Sequence, residues 1–173
     1  MDLPFIIGQI IGVIAMAIFF ISYQCKDPKK LLTIQCIGVF AMCTHYLLIG
    51  ATSGLVLNIV CLLRNLCFAN RDKKFLSAKW IPIFFAALTG AVGIYFWEAY
   101  YSIFIVVPLI INTIFLSLPD TQKLRYSILV TSPLVFIYDA FVISVGGMAN
   151  ESLTVISSVI GIVRHRKKLN ENK

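Results

Sequence analysis

Charge is what this sequence has least of. Only 13% of its residues are Asp, Glu, Lys or Arg, while 59% are hydrophobic; a soluble domain has about 25% charged residues. The apolar residues fall in runs of helix-spanning length, which leave no room for a water-soluble domain. Histidine is scarcer still, with two in 173 residues, one of them (His165) in a basic tail. Asp139 is the one aspartate inside an apolar run. Neither a Ser-His-Asp hydrolase nor a metal centre of several His and Asp/Glu fits that inventory, so no catalytic residue, metal or cofactor is expected. The five cysteines (Cys25, Cys36, Cys43, Cys61 and Cys67) lie in or beside apolar runs without metal-ligand spacing. Odd in number, they form no secreted disulfide framework and read as small buried hydrophobes. A basic n-region is missing as well, since Asp2 precedes the apolar start, so no cleaved signal peptide is expected.

What is present is a series of apolar runs. Read against their breakers they predict seven helices, at about 5–22, 29–49, 53–69, 80–96, 99–118, 124–145 and 149–163. The third and seventh are short for a bilayer. Gly50–Gly54 turns the chain between the second and third, Glu98 between the fourth and fifth, and Gly146–Gly147 before the last. A net charge of +7 would suit a nucleic-acid binder, but fourteen of the fifteen basic residues lie in alternate gaps between runs. Lys26, Lys29 and Lys30 follow the first helix, and Arg71, Lys73, Lys74 and Lys79 the third. Lys123 and Arg125 follow the fifth, and Arg164, Arg166, Lys167, Lys168 and Lys173 the seventh. The other gaps hold no charge, Glu98 or Glu151. By the positive-inside rule the amino terminus is outside and the carboxyl terminus cytoplasmic, which requires an odd number of spans.

Sliding the chain by 93 residues aligns its two ends: Asp27 meets Asp120, Lys30 Lys123, Leu31 Leu124, Gly54 Gly147, Arg71 Arg164, Lys73 Arg166 and Lys74 Lys167. The fold class expected is therefore an all-α membrane protein with seven transmembrane helices in a parallel 3+1+3 duplication. Residues 1–74 form the first repeat, 75–97 the linker helix, 98–168 the second repeat and 169–173 a polar tail.

That plan resembles the SWEET and PQ-loop (MtN3-like) transporter superfamily. The closer resemblance is to the YgjV-type bacterial inner membrane proteins, through SYQCKDPKKLL (Ser22–Leu32), HYLLIGATSGLVLN (His45–Asn58) and the Arg64-Asn65 pair. Tyr23-Gln24 stands near the place of the eponymous Pro-Gln pair, so the proline hinge is not supplied there; Pro108 aligns with Ala15 instead. The resemblance implies a multi-pass protein of the bacterial inner membrane that moves small solutes. It also implies that Asn58 occupies the position of a midplane asparagine that hydrogen-bonds substrate hydroxyls. The strict partner of Asn58 in the second repeat is Glu151, with Ser152 and Thr154 nearby, so the symmetric pair is broken.

Ionisable residues inside apolar helices face the bundle interior and mark pathways more often than not. Arg64 is one; it lies seven residues before Arg71, roughly 10 Å along a helix. Either it lines a pathway with Asn58 and Asn65 as a substrate-binding group, or it snorkels to the cytoplasmic headgroups. His45 and Asp139 fall at matching depth in the outer half, because the 93-residue register aligns His45 with Tyr138 and Tyr46 with Asp139. They are candidates for an outer vestibule or gate acting as a coupled pair. The alternative is a lone histidine bonded to a backbone carbonyl and an aspartate bonded to a hydroxyl. Asn112 reads as interhelical glue. Gly8 and Gly12 form a GxxxG pair and Gly90 and Gly93 a looser small-residue face, both for close packing. Trp80, Tyr95, Trp97, Tyr100 and Tyr101 flank helix ends as interfacial aromatics do.

The leading functional expectation is a carrier for a sugar-like or other polar metabolite working by alternating access. The second is a membrane sensor or accessory protein on the same scaffold. The partners expected are the lipid bilayer, a small polar solute and further copies of the chain, and not nucleic acid.

Overall fold

The computed structural model describes residues 3–24, 28–70, 76, 78–117 and 121–171. Side chains at 23, 24, 28, 121, 122, 124 and 164–171 lie outside that description. So do Asp2, Cys25, Lys26, Asp27, Arg71, Lys73, Lys74, Asp120 and Lys173, on which part of the charge and register reading rests.

Among the described residues seven α-helices follow one another: α1 Leu3–Gln24, α2 Pro28–Ile49, α3 Thr52–Ala69, α4 Trp80–Tyr95, α5 Ile103–Ser117, α6 Thr121–Phe141 and α7 Val145–Glu171. A 3-10 turn at Tyr100–Ser102 leads into α5. Pro28 stands at the first position of α2, where its fixed φ and missing N–H are tolerated. Among the described residues five helices are long and apolar enough to cross a membrane, over Leu3–Ser22, Lys29–Ile49, Thr52–Ala69, Tyr100–Ser117 and Val145–Val163. α4 is apolar but shorter, and α6 carries Lys123, Arg125 and Asp139 along its length.

The distribution of side chains is that of a membrane protein. Ile83, Ile94, Phe40 and Leu47 are each more than 60% exposed, whereas His45, Ser53, Arg64, Thr113, Thr131 and Asp139 are buried. Apolar exposure on that scale is stable against lipid and not against water. α1 packs along α2 and α2 along α3; α5 packs along α6 and α6 along α7. α1 also meets α7, and α3 meets α5, so six helices close into a ring, with α4 against α5 and α3. Ala15, Phe19, Met42, Tyr46, Leu57, Ile105 and Tyr138 join five of those helices in one core.

The last turn is not where the sequence places it. α6 stops at Phe141 rather than near 145, and α7 begins at Val145 rather than 149, so Gly146 and Gly147 lie inside its first turn. The two glycines serve close approach, not chain reversal. A Cβ on Gly146 would come within 2.4 Å of the Gly12 carbonyl carbon, and one on Gly147 within 2.4 Å of the Asp139 carboxyl carbon. The earlier start, with an end at Glu171 rather than 163, lengthens the seventh helix to 27 residues. It brings Glu151, assigned to an outer turn from sequence, inside the apolar stretch Val145–Val163.

The reversal itself is made by Val142–Ser144, and it copies the reversal between α2 and α3. Gly50 (φ 79°) and Ile143 (φ 55°) are the left-handed residues. Ala51 N–H donates to Tyr46 O at 3.0 Å, and Ser144 N–H to Asp139 O at 2.8 Å. Gly50 N–H donates to Leu47 O at 3.4 Å, and Ile143 N–H to Ala140 O at 3.3 Å. Both are Schellman closures, set 93 residues apart like the Tyr46–Asp139 pair. Glycine takes the left-handed conformation freely, whereas a β-branched residue there costs about 1–2 kcal/mol. Ile143→Gly is therefore expected to stabilise the protein by about 1 kcal/mol, read as a higher unfolding midpoint in detergent. An unchanged or lower midpoint would mean that the Ile143 side chain, 58% exposed, contributes packing that offsets the strain.

Candidate functional site

One end of the bundle holds the start of α1, the α2–α3 turn, the α4–α5 connection and the α6–α7 turn. Polar side chains concentrate there. The His45 ring is fully buried, with Nδ1 2.7 Å from Gly8 O and Nε2 2.7 Å from Ser144 Oγ. A carbonyl only accepts, so Nδ1 carries a proton; in the neutral ring Nε2 accepts from the Ser144 hydroxyl. Ser144 Oγ in turn receives the Gly147 N–H at 3.1 Å. Histidine thus ties α1, α2 and the α6–α7 turn together.

Asp139, 1% exposed, does not bond to His45. Its Oδ1 accepts the Tyr46 hydroxyl at 2.6 Å, and its Oδ2 accepts no hydrogen bond among the described residues. Tyr46 and Tyr138 pack edge to face at 6.2 Å, with Ser53 Oγ 3.2 Å from the Tyr138 hydroxyl. Glu151 interacts electrostatically with both Tyr46 and Asp139 and bonds to Asn150 Nδ2 at 3.2 Å. The two sequence candidates sit at one end and one depth without a direct bond, and Ser144, which bonds His45, meets Asp139 as well.

The same end is held by two side-chain caps that cross the bundle. The Glu98 carboxylate accepts the Thr52 N–H at 2.6 Å and the Ser53 hydroxyl at 2.7 Å, at the start of α3. Ser102 Oγ receives the Glu98 and Ala99 N–H groups at 3.3 and 3.4 Å, which fixes the approach of that carboxylate. At the start of α7, Gln9 Oε1 accepts the Val145 N–H at 2.9 Å while Gln9 Nε2 donates to Ile143 O at 2.5 Å. Helix-start N–H groups have no partner within their own helix, so each cap satisfies a donor that would otherwise face lipid or a cleft.

Arg64 lies toward the other end, five residues before the last residue of α3, about 7.5 Å along the helix. It is 7% exposed and turned into the bundle. Nε and Nη2 donate to Asn65 Oδ1 at 3.2 and 3.1 Å, and Nη1 donates across to Thr113 Oγ1 on α5 at 2.7 Å. Thr113 uses its own proton on Leu109 O, also at 2.7 Å, leaving a lone pair for the guanidinium. The structure thus brings Arg64 and Asn65 together. Asn58, half-buried two turns earlier on α3, donates instead to Gly54 O in its own helix at 2.9 Å.

Asn112 is glue between α5 and α6: its Oδ1 accepts from Thr131 at 2.9 Å and Ser127 at 3.3 Å. Ser152 bonds within its helix to Met148 O at 2.9 Å. Gly8 faces Leu48 and Ile49 of α2, Gly12 faces His45 and Gly146, and Gly93 faces Val106, so the small-residue faces serve packing inside one chain. Trp80, Tyr95, Trp97 and Tyr100 are exposed at helix ends, whereas Tyr101 turns inward to stack on Phe141 at 5.4 Å. Cys43 and Cys61 are buried and Cys36 and Cys67 half-buried, all free thiols. Among the described residues no group of three His, Cys, Asp or Glu could hold a metal ion.

Sequence reasoning did not single out Gln9, Tyr46, Thr113 or Ser144. Tyr46 was within reach, because it stands opposite Asp139 in the 93-residue register. Thr113 carries no such signal: one threonine in an apolar helix looks like any other until a guanidinium is found against it.

A family model for a bacterial inner membrane protein, Imp-YgjV, matches residues 6–169, nearly the whole chain. No curated protein and no solved structure matches it.

Proposed function

We propose, from the premise that this chain belongs to the Imp-YgjV family of bacterial inner membrane proteins and is a multi-pass helical protein of that membrane, that it carries a small polar solute by alternating access. The moving parts in this reading are two three-helix units, α1–α3 and α5–α7, in parallel orientation, with α4 as linker. The bundle end rich in polar side chains faces outward and the carboxyl terminus lies in the cytoplasm, as the basic gaps require. The likeness to SWEET and PQ-loop proteins belongs to the same proposal.

One observation carries it: at the polar end each three-helix segment caps a helix of the other, and the two capped residues are 93 apart. Glu98, which leads into α5, caps α3, and Gln9 of α1 caps α7. The capped residues, Thr52 and Val145, hold corresponding places, as do the bonded pair Tyr46 and Asp139. Gly54 accommodates the Tyr46 ring and Gly147 the Asp139 carboxyl, again at corresponding places. The contacts that cross between the units, the two caps and the Tyr46–Asp139 bond, are of the kind that forms when the outer side closes and breaks when it opens.

Removing both caps is expected to favour the outward-open state. With each cap worth about 1 kcal/mol, Gln9→Ala/Glu98→Ala raises the open population by about tenfold or more. In a background lacking the other cysteines, Cys43, buried one turn below Tyr46, then reacts faster with a membrane-impermeant thiol reagent added from outside. Unchanged reactivity would sink the closure assigned to this seam. Transport is tested by reconstituting the purified protein in vesicles against labelled sugars, amino acids, organic acids and nucleosides. A sensor or accessory role is the second reading, favoured by Asn58 donating to its own helix at 2.9 Å. No uptake above empty vesicles across the panel selects it.

A further inference from the structure

We propose that Arg64, with Asn65 and Thr113, forms a binding site for an oxyanion, a carboxylate or phosphate group, and that the solute of the carrier reading, on which this rests, is therefore anionic. A guanidinium keeps its charge wherever it is placed, and a charge within a membrane protein is stable only when something compensates it. Arg64 is 93% withdrawn from solvent, being 7% exposed. The groups that meet it, Asn65 Oδ1 and Thr113 Oγ1, are both uncharged. The described carboxylates are Glu98, Asp139 and Glu151, and none of them pairs with it. Glu98 docks at Thr52, twelve residues away along α3 and so about 18 Å distant.

Donor geometry supplies the second half of the argument. Arginine has five N–H groups in a planar fork. Three donate, from Nε, Nη1 and Nη2, which leaves one N–H on each terminal nitrogen without a partner among the described residues. A pair of N–H donors on one guanidinium matches the two oxygens of a carboxylate or phosphate. A neutral polyol would leave the positive charge uncompensated. Asn65 and Thr113 hold the plane from two helices, α3 and α5, one in each unit. An oxyanion bound there touches the seam along which the two units would move.

The experiment reads binding, not flux. Purified protein in phosphatidylcholine nanodiscs is heated with inorganic phosphate, succinate or sodium chloride at equal ionic strength. A second arm uses nanodiscs containing phosphatidylglycerol with no added anion. The expected result is a raised unfolding temperature with phosphate or succinate over chloride, with an apparent affinity weakened by about tenfold or more in Arg64→Gln. Thr113→Val, which keeps the charge and removes one positioning bond, weakens it by roughly threefold. Stabilisation in the phosphatidylglycerol arm alone, lost in Arg64→Gln, leaves the oxyanion site standing and makes a lipid headgroup its occupant. If Arg64→Gln does not fold, Thr113→Val and Asn65→Ala carry the test. No stabilisation by any of the three oxyanion sources, or equal stabilisation in every variant, overturns the proposal. Uptake of a neutral solute without anion binding would sink this site and leave the carrier reading; anion binding without any uptake would do the reverse.

Discussion

Gly146→Ala is expected to destabilise the protein by about 1–3 kcal/mol, and larger side chains at this position by more. The cause is local. A Cβ at Gly146 would stand 2.4 Å from the Gly12 carbonyl carbon, 2.5 Å from its Cα and 2.8 Å from its oxygen. All three are backbone atoms of a packed helix, so the contact can be relieved only by moving α1 away from α7. That movement is costly here, because the α1–α7 contact closes the ring of six helices. It also draws Gln9 from Val145 and presses on His45, whose Nδ1 lies 3.0 Å from where a Gly12 Cβ would be. Gly90→Ala is the control: its added Cβ first meets Ile110 at 3.5 Å, an ordinary contact, so the change is within about 0.5 kcal/mol. Unfolding midpoints of the two variants in the same detergent separate a backbone contact from a general intolerance of methyl groups. Equal losses would refute the close approach of α1 and α7.

Tyr46→Phe should cost about 3 kcal/mol, because it removes the 2.6 Å hydrogen bond to a buried carboxyl group. Asp139 Oδ2 already accepts nothing, and the substitution would leave Oδ1 in the same state at 1% exposure. The ring stays, so the edge-to-face packing on Tyr138 at 6.2 Å is retained and the loss reports the hydroxyl alone. Asp139→Asn keeps an acceptor for Tyr46 in a side chain of the same shape, so its own cost is smaller. In that background Tyr46→Phe is expected to cost about 1 kcal/mol, a coupling of about 2 kcal/mol across the cycle. His45→Ala and Asp139→Asn, which share no direct bond but meet Ser144 in common, should couple by less than Tyr46 and Asp139 do. A coupling for His45–Asp139 as large as that for Tyr46–Asp139 would overturn the absence of a direct bond between the two residues.

Much of the scaffold is legible in the sequence, because a bilayer imposes its thickness on every apolar run. The seven helices, the turn at Gly50 and the depth shared by His45 and Asp139 follow from counting residues. Counting leaves Arg64 between the bundle interior and the headgroups, and only its bond to Thr113 turns it inward. The α6–α7 boundary does not. Gly146 and Gly147 after an apolar run have the local chemistry of a turn, and only Gly12 and the Asp139 carboxyl, which lie elsewhere in the chain, explain why they continue a helix. Ile143 hides the true turn for the opposite reason, since a β-branched residue is a poor candidate for positive φ. Partners of the polar residues were hidden by distance. Glu98 lies 46 residues from the N–H it caps, and Gln9 lies 136 from the N–H it caps. Neither spacing belongs to any local motif.

Those two separations have opposite signs, and synthesis on the ribosome feels the difference. Domains emerge amino-terminal end first, so α3 leaves with the Thr52 N–H uncapped until Glu98 follows it. For α7 the order is reversed: Gln9 is already in place when Val145 emerges. A chain truncated between Ala69 and Glu98 therefore ends with its third helix unfinished, however well the first two have packed. Only when the α4–α5 connection has been made does the start of α3 acquire its cap.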